Sequence, residues 1–119
     1  PPPTRDIPVL IGGGGERKTL RLVAEYGDIW HGFTTIDTYP QAAAVLEEHC
    51  AAVGRDPSTI ERSAGVEDNT GARGGGIDGL IANAEGLVAL GVTLLTVGVN
   101  GPDYDLSAAE ALCRWRDTR

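Results

Sequence analysis

The segment Gly12-Gly13-Gly14-Gly15-Glu16-Arg17-Lys18-Thr19 holds the residue types and spacing that point most directly to chemistry. Four glycines leave a run of backbone N–H groups unshielded, and such groups at the start of a helix converge on an anion. Arg17 and Lys18 in the first helical turn oppose the helix dipole unless a phosphate lies against them. Two known phosphate fingerprints fail, because the dinucleotide-binding pattern and the P-loop both need glycine where Arg17 stands. What remains is a generic phosphate loop of a strand–helix unit, with a plain tight turn as its alternative.

The other polar candidates are weaker. His31 falls at the carboxyl end of an apolar run, where parallel α/β folds gather ligand groups. Its alternation with Ile29 and Phe33 also suits an interior histidine, which is the preferred reading. His49 sits on a helical stripe and reads as structural. Neither histidine has a partner at metal spacing, so no metal is expected. Asp103 and Asp105, within Asn100-Gly101-Pro102-Asp103-Tyr104-Asp105, suggest an acid–base pair or a cation loop, but turn chemistry is favoured. No serine or cysteine shows a base partner, so covalent catalysis is not expected. Trp30 and Trp115 read as packing between layers.

The elements that must position these residues alternate. Residues 7–11 form a strand that stops at the glycines. Glu16 to Tyr26 carries Leu20, Val23 and Ala24 at helical spacing and ends at Gly27. Asp28 to Phe33 is a second strand. Thr38, Pro40 and Gln41 make a capping box for a helix with Ala42, Leu46, His49 and Val53 on one stripe, closed by Gly54. Asp56 to Thr59 suits a short turn, Ile60 to Glu67 a third and weaker strand, and residues 68–77 a flexible loop. Leu80, Ile81, Ala84, Leu87 and Val88 then mark an amphipathic helix ending at Gly91. Val92 to Val99 is a strand whose near-continuous apolar content predicts cover on both faces. Ser107 and Glu110 form a second capping box, opening a helix with Ala111, Leu112 and Trp115 as its buried side.

Strict β-α alternation over four units predicts an α/β fold with parallel strands and right-handed crossovers. Four units are half of a complete (β/α)8 TIM-type barrel, which needs ~250 residues. The composition agrees with one globular domain over residues 1–119: 41% of residues are hydrophobic, 23% are charged and only 5% aromatic. A net charge of −7 excludes the usual nucleic-acid and anionic-membrane binders. No apolar run reaches membrane-span length and the opening residues do not read as a basic-then-apolar leader, so neither a membrane span nor a signal peptide is expected from these residues. Two cysteines without metal spacing indicate a reduced, cytoplasmic setting.

Ile7 to Leu20 together with Ala24-Glu25-Tyr26-Gly27-Asp28-Ile29-Trp30 resembles the carboxyl-terminal half of the luciferase-like flavin and deazaflavin oxidoreductases. Glu47 to Cys50 and Val53 to Ile60 resemble the helix and turn that follow in that family. The ending, Gly91-Val92-Thr93 with Gly101 to Leu106, is similar to actinobacterial members assigned to coenzyme F420. The resemblance spans nearly the whole chain and implies a TIM barrel, here a half-barrel. It implies that Gly12, Gly13, Gly14 and Gly15, with Arg17 and Thr34, hold the cofactor phosphate. The implied reaction is hydride transfer between F420 and a small organic substrate, and an FMN-dependent monooxygenase is the nearest alternative. The family's ring-facing residues come largely from its first half, absent here, so the chain alone is expected to be inactive. A third reading is a non-catalytic half-barrel that only folds and dimerises. Two open sheet edges predict self-association edge to edge. Charge reversal at Arg17 separates these readings, weakening flavin binding under the first two and changing nothing under the third.

Overall fold

A computed structural model of the chain describes residues 1–66, 76–99 and 101–119. The elements run β1 (Leu10–Gly12), α1 (Thr19–Tyr26), β2 (Ile29–Gly32), α2 (Tyr39–Val53), a 3-10 turn (Pro57–Thr59), β3 (Glu61–Gly65), α3 (Gly76–Ala89), β4 (Leu94–Thr96) and α4 (Ser107–Asp117). The four strands form one parallel sheet in the order β1-β2-β3-β4. The molecule is therefore a mixed α/β fold, as the alternation predicts. Among the described residues no helix is long and apolar enough to cross a membrane.

Residues paired in a parallel ladder share a face, and alternate residues take opposite faces. The register Ile11↔Trp30↔Arg62 and Gly32↔Ala64↔Leu95 therefore defines one side of the sheet. Trp30 and Ala64 on that side are fully buried against Leu20, Val23, Tyr39, Leu46, Cys50 and Leu87 of the helices, with Ile11 and Leu95 packed on the same cluster. Trp30 stacks on Tyr39 with ring centroids 5.8 Å apart. The opposite face carries Leu10, Gly12, Ile29, His31, Phe33, Ser63 and Leu94, and there Leu10 is 51% and Phe33 70% exposed.

Several expectations shift. The first strand starts at Leu10 rather than residue 7, because Pro8 has no N–H to donate. Val9 is held instead by Asp28, whose Oδ2 accepts from Val9 N at 2.8 Å. Helix α1 begins at Thr19, three residues later than expected, since Leu20 N donates to Gly15 O (3.0 Å) and closes a wide turn first. On α2 the buried stripe is Tyr39, Ala42, Leu46 and Cys50, while Val53 is exposed and His49 half-buried. Stepping 3.6 residues per turn from Tyr39 selects these positions. The capping box of α2 also sits earlier than expected: Thr35 N donates to Thr38 Oγ1 (2.8 Å) and Thr38 N to Thr35 Oγ1 (3.2 Å), so Gln41 has no part in it. Before α4, Asp105 accepts from Ser107 N at 2.9 Å, and Ser107 is the first helical residue rather than the cap.

The largest departure is β4. It spans three residues instead of eight, pairs only with β3, and leaves Leu94 and Leu95 half-buried and Thr96 exposed. The helices cover only the face that carries Leu95, which packs on the clusters of α3 and α4, while Leu94 on the opposite face joins neither cluster. Gly76 and Ile77, expected in a loop, open α3. Glu67, residues 68–75 and Asn100 lie outside the described residues.

Candidate functional site

The carboxyl ends of β1 and β2 lie side by side through the pairing Gly12↔His31, and the sequence-predicted residues gather there. Gly13 is tied on both sides: its N–H donates to His31 O (3.0 Å) and its carbonyl accepts from Trp30 Nε1 (2.8 Å). Its φ of +130° is a conformation that side chains rarely adopt. Gly15 sits close to α1, since a Cβ there would lie 2.9 Å from Thr19 Oγ1 and that side chain would have to shift. Gly14 meets neither demand, for nothing lies within 4 Å of where its Cβ would stand. The N–H groups of Gly14 and Gly15 find no protein acceptor among the described residues.

The turn is anchored from α2, where His49 Nε2 donates to Glu16 O at 2.6 Å. His49 is structural, as expected, but what it supports is this loop. Arg17 and Lys18 lie in the turn before α1 rather than in its first turn. Both are exposed, and neither enters an ion pair among the described residues.

Thr34 follows β2 directly. It is only 6% exposed, and its Oγ1 is buried without a hydrogen-bond partner. A Cβ placed on Gly32 would fall 3.2 Å from that oxygen and 3.0 Å from Trp30 Cζ2. The Thr34 hydroxyl thus sits beside the indole whose N–H holds the Gly13 carbonyl. Thr35 and Thr38 satisfy each other, so Thr34 carries the uncommitted hydroxyl of this segment.

On the other face of the sheet, His31 Nδ1 lies 2.8 Å from Ser63 Oγ. The expectation that no serine has a base partner is therefore overturned. The two residues are far apart in the chain and meet because β2 and β3 pair in the register His31↔Ser63. Only that register reveals the contact. Ser63 is fully buried, which denies a substrate access to its oxygen and makes it a hydrogen-bond partner that orients the imidazole. Phe33 meets the His31 ring edge-on, at 5.1 Å and 82°.

The amino ends of the strands are built differently. A cleft of about 570 Å³ there is bordered by Glu47, Asp56, Ser58, Glu61, Arg62 and Thr93. Arg62 lies 5.7 Å from the Trp30 ring, with Nη2 donating to Pro57 O (3.4 Å) and Nη1 buried without a partner. Burial pushes the Tyr39 hydroxyl and the Cys50 thiol up in pKa, and the Arg62 guanidinium opposes both shifts. Three carboxylates around this cleft disfavour an anion, and chemistry in parallel α/β folds collects at the other end. Asp105 caps α4, which is the turn role favoured for its segment.

No family model, curated protein or solved structure matches the chain.

Proposed function

We propose that the chain is a half (β/α)8 barrel of the luciferase-like F420-dependent oxidoreductase type, binding the phosphate of a flavin-type cofactor between β1 and β2. The consecutive strand order supports the barrel reading. Sequential parallel neighbours joined by right-handed crossovers keep all helices on one side, whereas a doubly wound sheet reverses its order and uses both. The observation that carries the binding reading is the pair of exposed backbone N–H groups, Gly14 and Gly15, that find no acceptor among the described residues in the turn after β1.

The residues present fit the phosphate end of such a cofactor. The N–H groups of Gly14 and Gly15 would donate to phosphate oxygens and Arg17 would add positive charge, whereas Thr34, expected among the phosphate ligands, has its Oγ1 buried and would shape the site from behind. Gly13 answers to its φ and Gly15 to its contact with Thr19, whereas Gly14 has open space where a Cβ would stand, which is room for a ligand to approach the backbone. When bound, the cofactor would supply hydride transfer to a small organic substrate, and the protein would supply orientation and electrostatics. FMN in a monooxygenase of the same type uses the same phosphate donors. Two free cysteines, Cys50 buried and Cys113 exposed, suit a reduced cytoplasmic setting.

Titration with F420 and FMN, followed by quenching of cofactor fluorescence, tests the reading in the chain and in Gly14→Val. The variant is expected to fold with unchanged stability and to bind at least tenfold more weakly, a loss of about 1.4 kcal/mol. Equal binding by both proteins, or by neither, removes the phosphate site. A second reading is favoured by the exposed Leu10 and Phe33 and the open edges of β1 and β4: a non-catalytic half-barrel that self-associates. Sedimentation showing only monomer at working concentrations would refute it.

A further inference from the structure

The two edges of the sheet are built differently. At β1, Val9 O accepts from Ile29 N (3.1 Å) and Gly13 N donates to His31 O (3.0 Å). Alternate residues of a parallel strand bond the same neighbour, so Leu10 and Gly12 turn their N–H and C=O groups to the open side. Val9 stands two residues before Ile11 and takes the same, helix-bearing side of the sheet. It is 47% exposed there, and Ile7 is 67% exposed. At β4, Thr93 N donates to Arg62 O (3.0 Å), which by the same alternation turns the backbone groups of Leu94 outward. Here the edge adjoins a groove of about 330 Å³ between β4 and α4, bordered by Leu94, Leu95, Leu112, Trp115, Arg116 and Arg119. Arg119 rests on the Trp115 ring at 4.8 Å and enters no ion pair among the described residues. One edge is thus an apolar strand lacking cover, and the other a strand beside an apolar groove lacking contents.

We infer that the groove between β4 and α4 receives the β1 edge of a second copy of this chain, running parallel to β4, and that two such joins close the pair. Val9 and Ile7 of the incoming strand fill the groove, and Leu10 meets the outward backbone of Leu94. A net charge of −7 opposes the approach of two copies except where basic groups gather. Arg116 and Arg119 border the groove, and the exposed Asp6 and Asp28 stand at the start of the β1 edge. A foreign strand would cover β4 alone. Two identical joins cover both edges and turn inward the sheet face that carries the exposed Leu10 and Phe33. Closure at two copies rests on the half-barrel reading above, since eight parallel strands complete such a barrel. The choice of edges rests on the groove.

Cys113 is exposed and borders the groove, whereas Cys50 is fully buried. In Val9→Cys, oxidation with diamide should therefore link the introduced thiol to Cys113 of the second copy. Within one chain the two edges lie three strand spacings apart, about 14 Å, and a disulfide needs Cα atoms within about 7 Å. Electrophoresis without reductant should show a covalent dimer in Val9→Cys, and none in the unsubstituted chain or in Val9→Cys/Cys113→Ser. If Val9→Cys does not fold, the more exposed Ile7→Cys carries the comparison. Leu94 belongs to neither core cluster, so Leu94→Lys should fold and weaken the dimer about tenfold or more by sedimentation. A covalent dimer that survives Cys113→Ser or forms in the unsubstituted chain, a ladder of higher oligomers, no covalent dimer, or a dimer indifferent to Leu94→Lys overturns the inference. Monomer alone in sedimentation removes self-association altogether, whereas a dimer that fails to crosslink removes only this choice of edges. Neither readout involves a flavin, so both stand apart from the phosphate reading.

Discussion

Replacing Thr34 with valine removes a hydroxyl and keeps the shape of the side chain. Thr34 is 6% exposed and its Oγ1 has no partner, and a buried hydroxyl left unsatisfied costs about 1–3 kcal/mol. The variant should therefore gain stability in the absence of ligand, by about 1–2 kcal/mol once methyl packing is allowed for. Unfolding entropy scales at about 2.1 cal/mol/K per residue, so for 119 residues it totals about 250 cal/mol/K. The expected rise in Tm is thus about 4–8 °C, read by circular dichroism in phosphate-free buffer. FMN affinity, measured on the same samples, should hold, because an oxygen without accessible surface does not meet the phosphate. An unchanged or lower Tm would refute the reasoning at its first step, by showing that the hydroxyl is already satisfied. A higher Tm with weaker FMN binding would show instead that the hydroxyl reaches the ligand.

The remaining predictions concern the scaffold. Trp30→Phe withdraws the donor to the Gly13 carbonyl from a fully buried position; urea denaturation should show a loss of about 1–3 kcal/mol, and amide exchange should quicken in the glycine turn. Gly54 ends α2 with φ 71°, so Gly54→Ala should cost about 1 kcal/mol in the same assay, while alanine at a residue with ordinary φ on the exposed side of α2 should not. Asp56 and Asp105 are held below the ordinary carboxylate pKa by accepting from Ser58 N and Ser107 N, respectively. A depressed folded-state pKa contributes stability above the unfolded value, near 3.8, and loses it as pH falls through the folded value. The Asp56→Asn/Asp105→Asn double variant should therefore show a smaller drop in urea midpoint between pH 6 and pH 3 than the unsubstituted chain.

Residue order alone determined the alternation of strands and helices. Apolar spacing along Leu20, Val23 and Ala24, and along Leu80, Ala84 and Leu87, marks helical faces that the fold buries. Gly27 and Gly54 mark helix ends without reference to any neighbour. These signals are local, since backbone sterics and the 3.6-residue period act within a few residues. The glycine turn was legible for the same reason, and its position after a strand predicts which end of the sheet it occupies.

What the chain order left open depends on which strands become neighbours. The apolar run from Val92 to Val99 looks doubly covered, but the helices pack on the Leu95 face alone and leave Leu94 on the other face outside both core clusters. His31 and Ser63 carry no mutual signal along the chain, and only the β2–β3 register brings imidazole and hydroxyl to 2.8 Å. Likewise, four adjacent glycines are indistinguishable as letters. The structure divides them: Gly13 answers to its φ, Gly15 to the Thr19 side chain, and Gly14 to neither. Contacts between elements depend on closing long loops and on shape at the sub-ångström scale, and neither is encoded in the spacing of residues along one strand or helix.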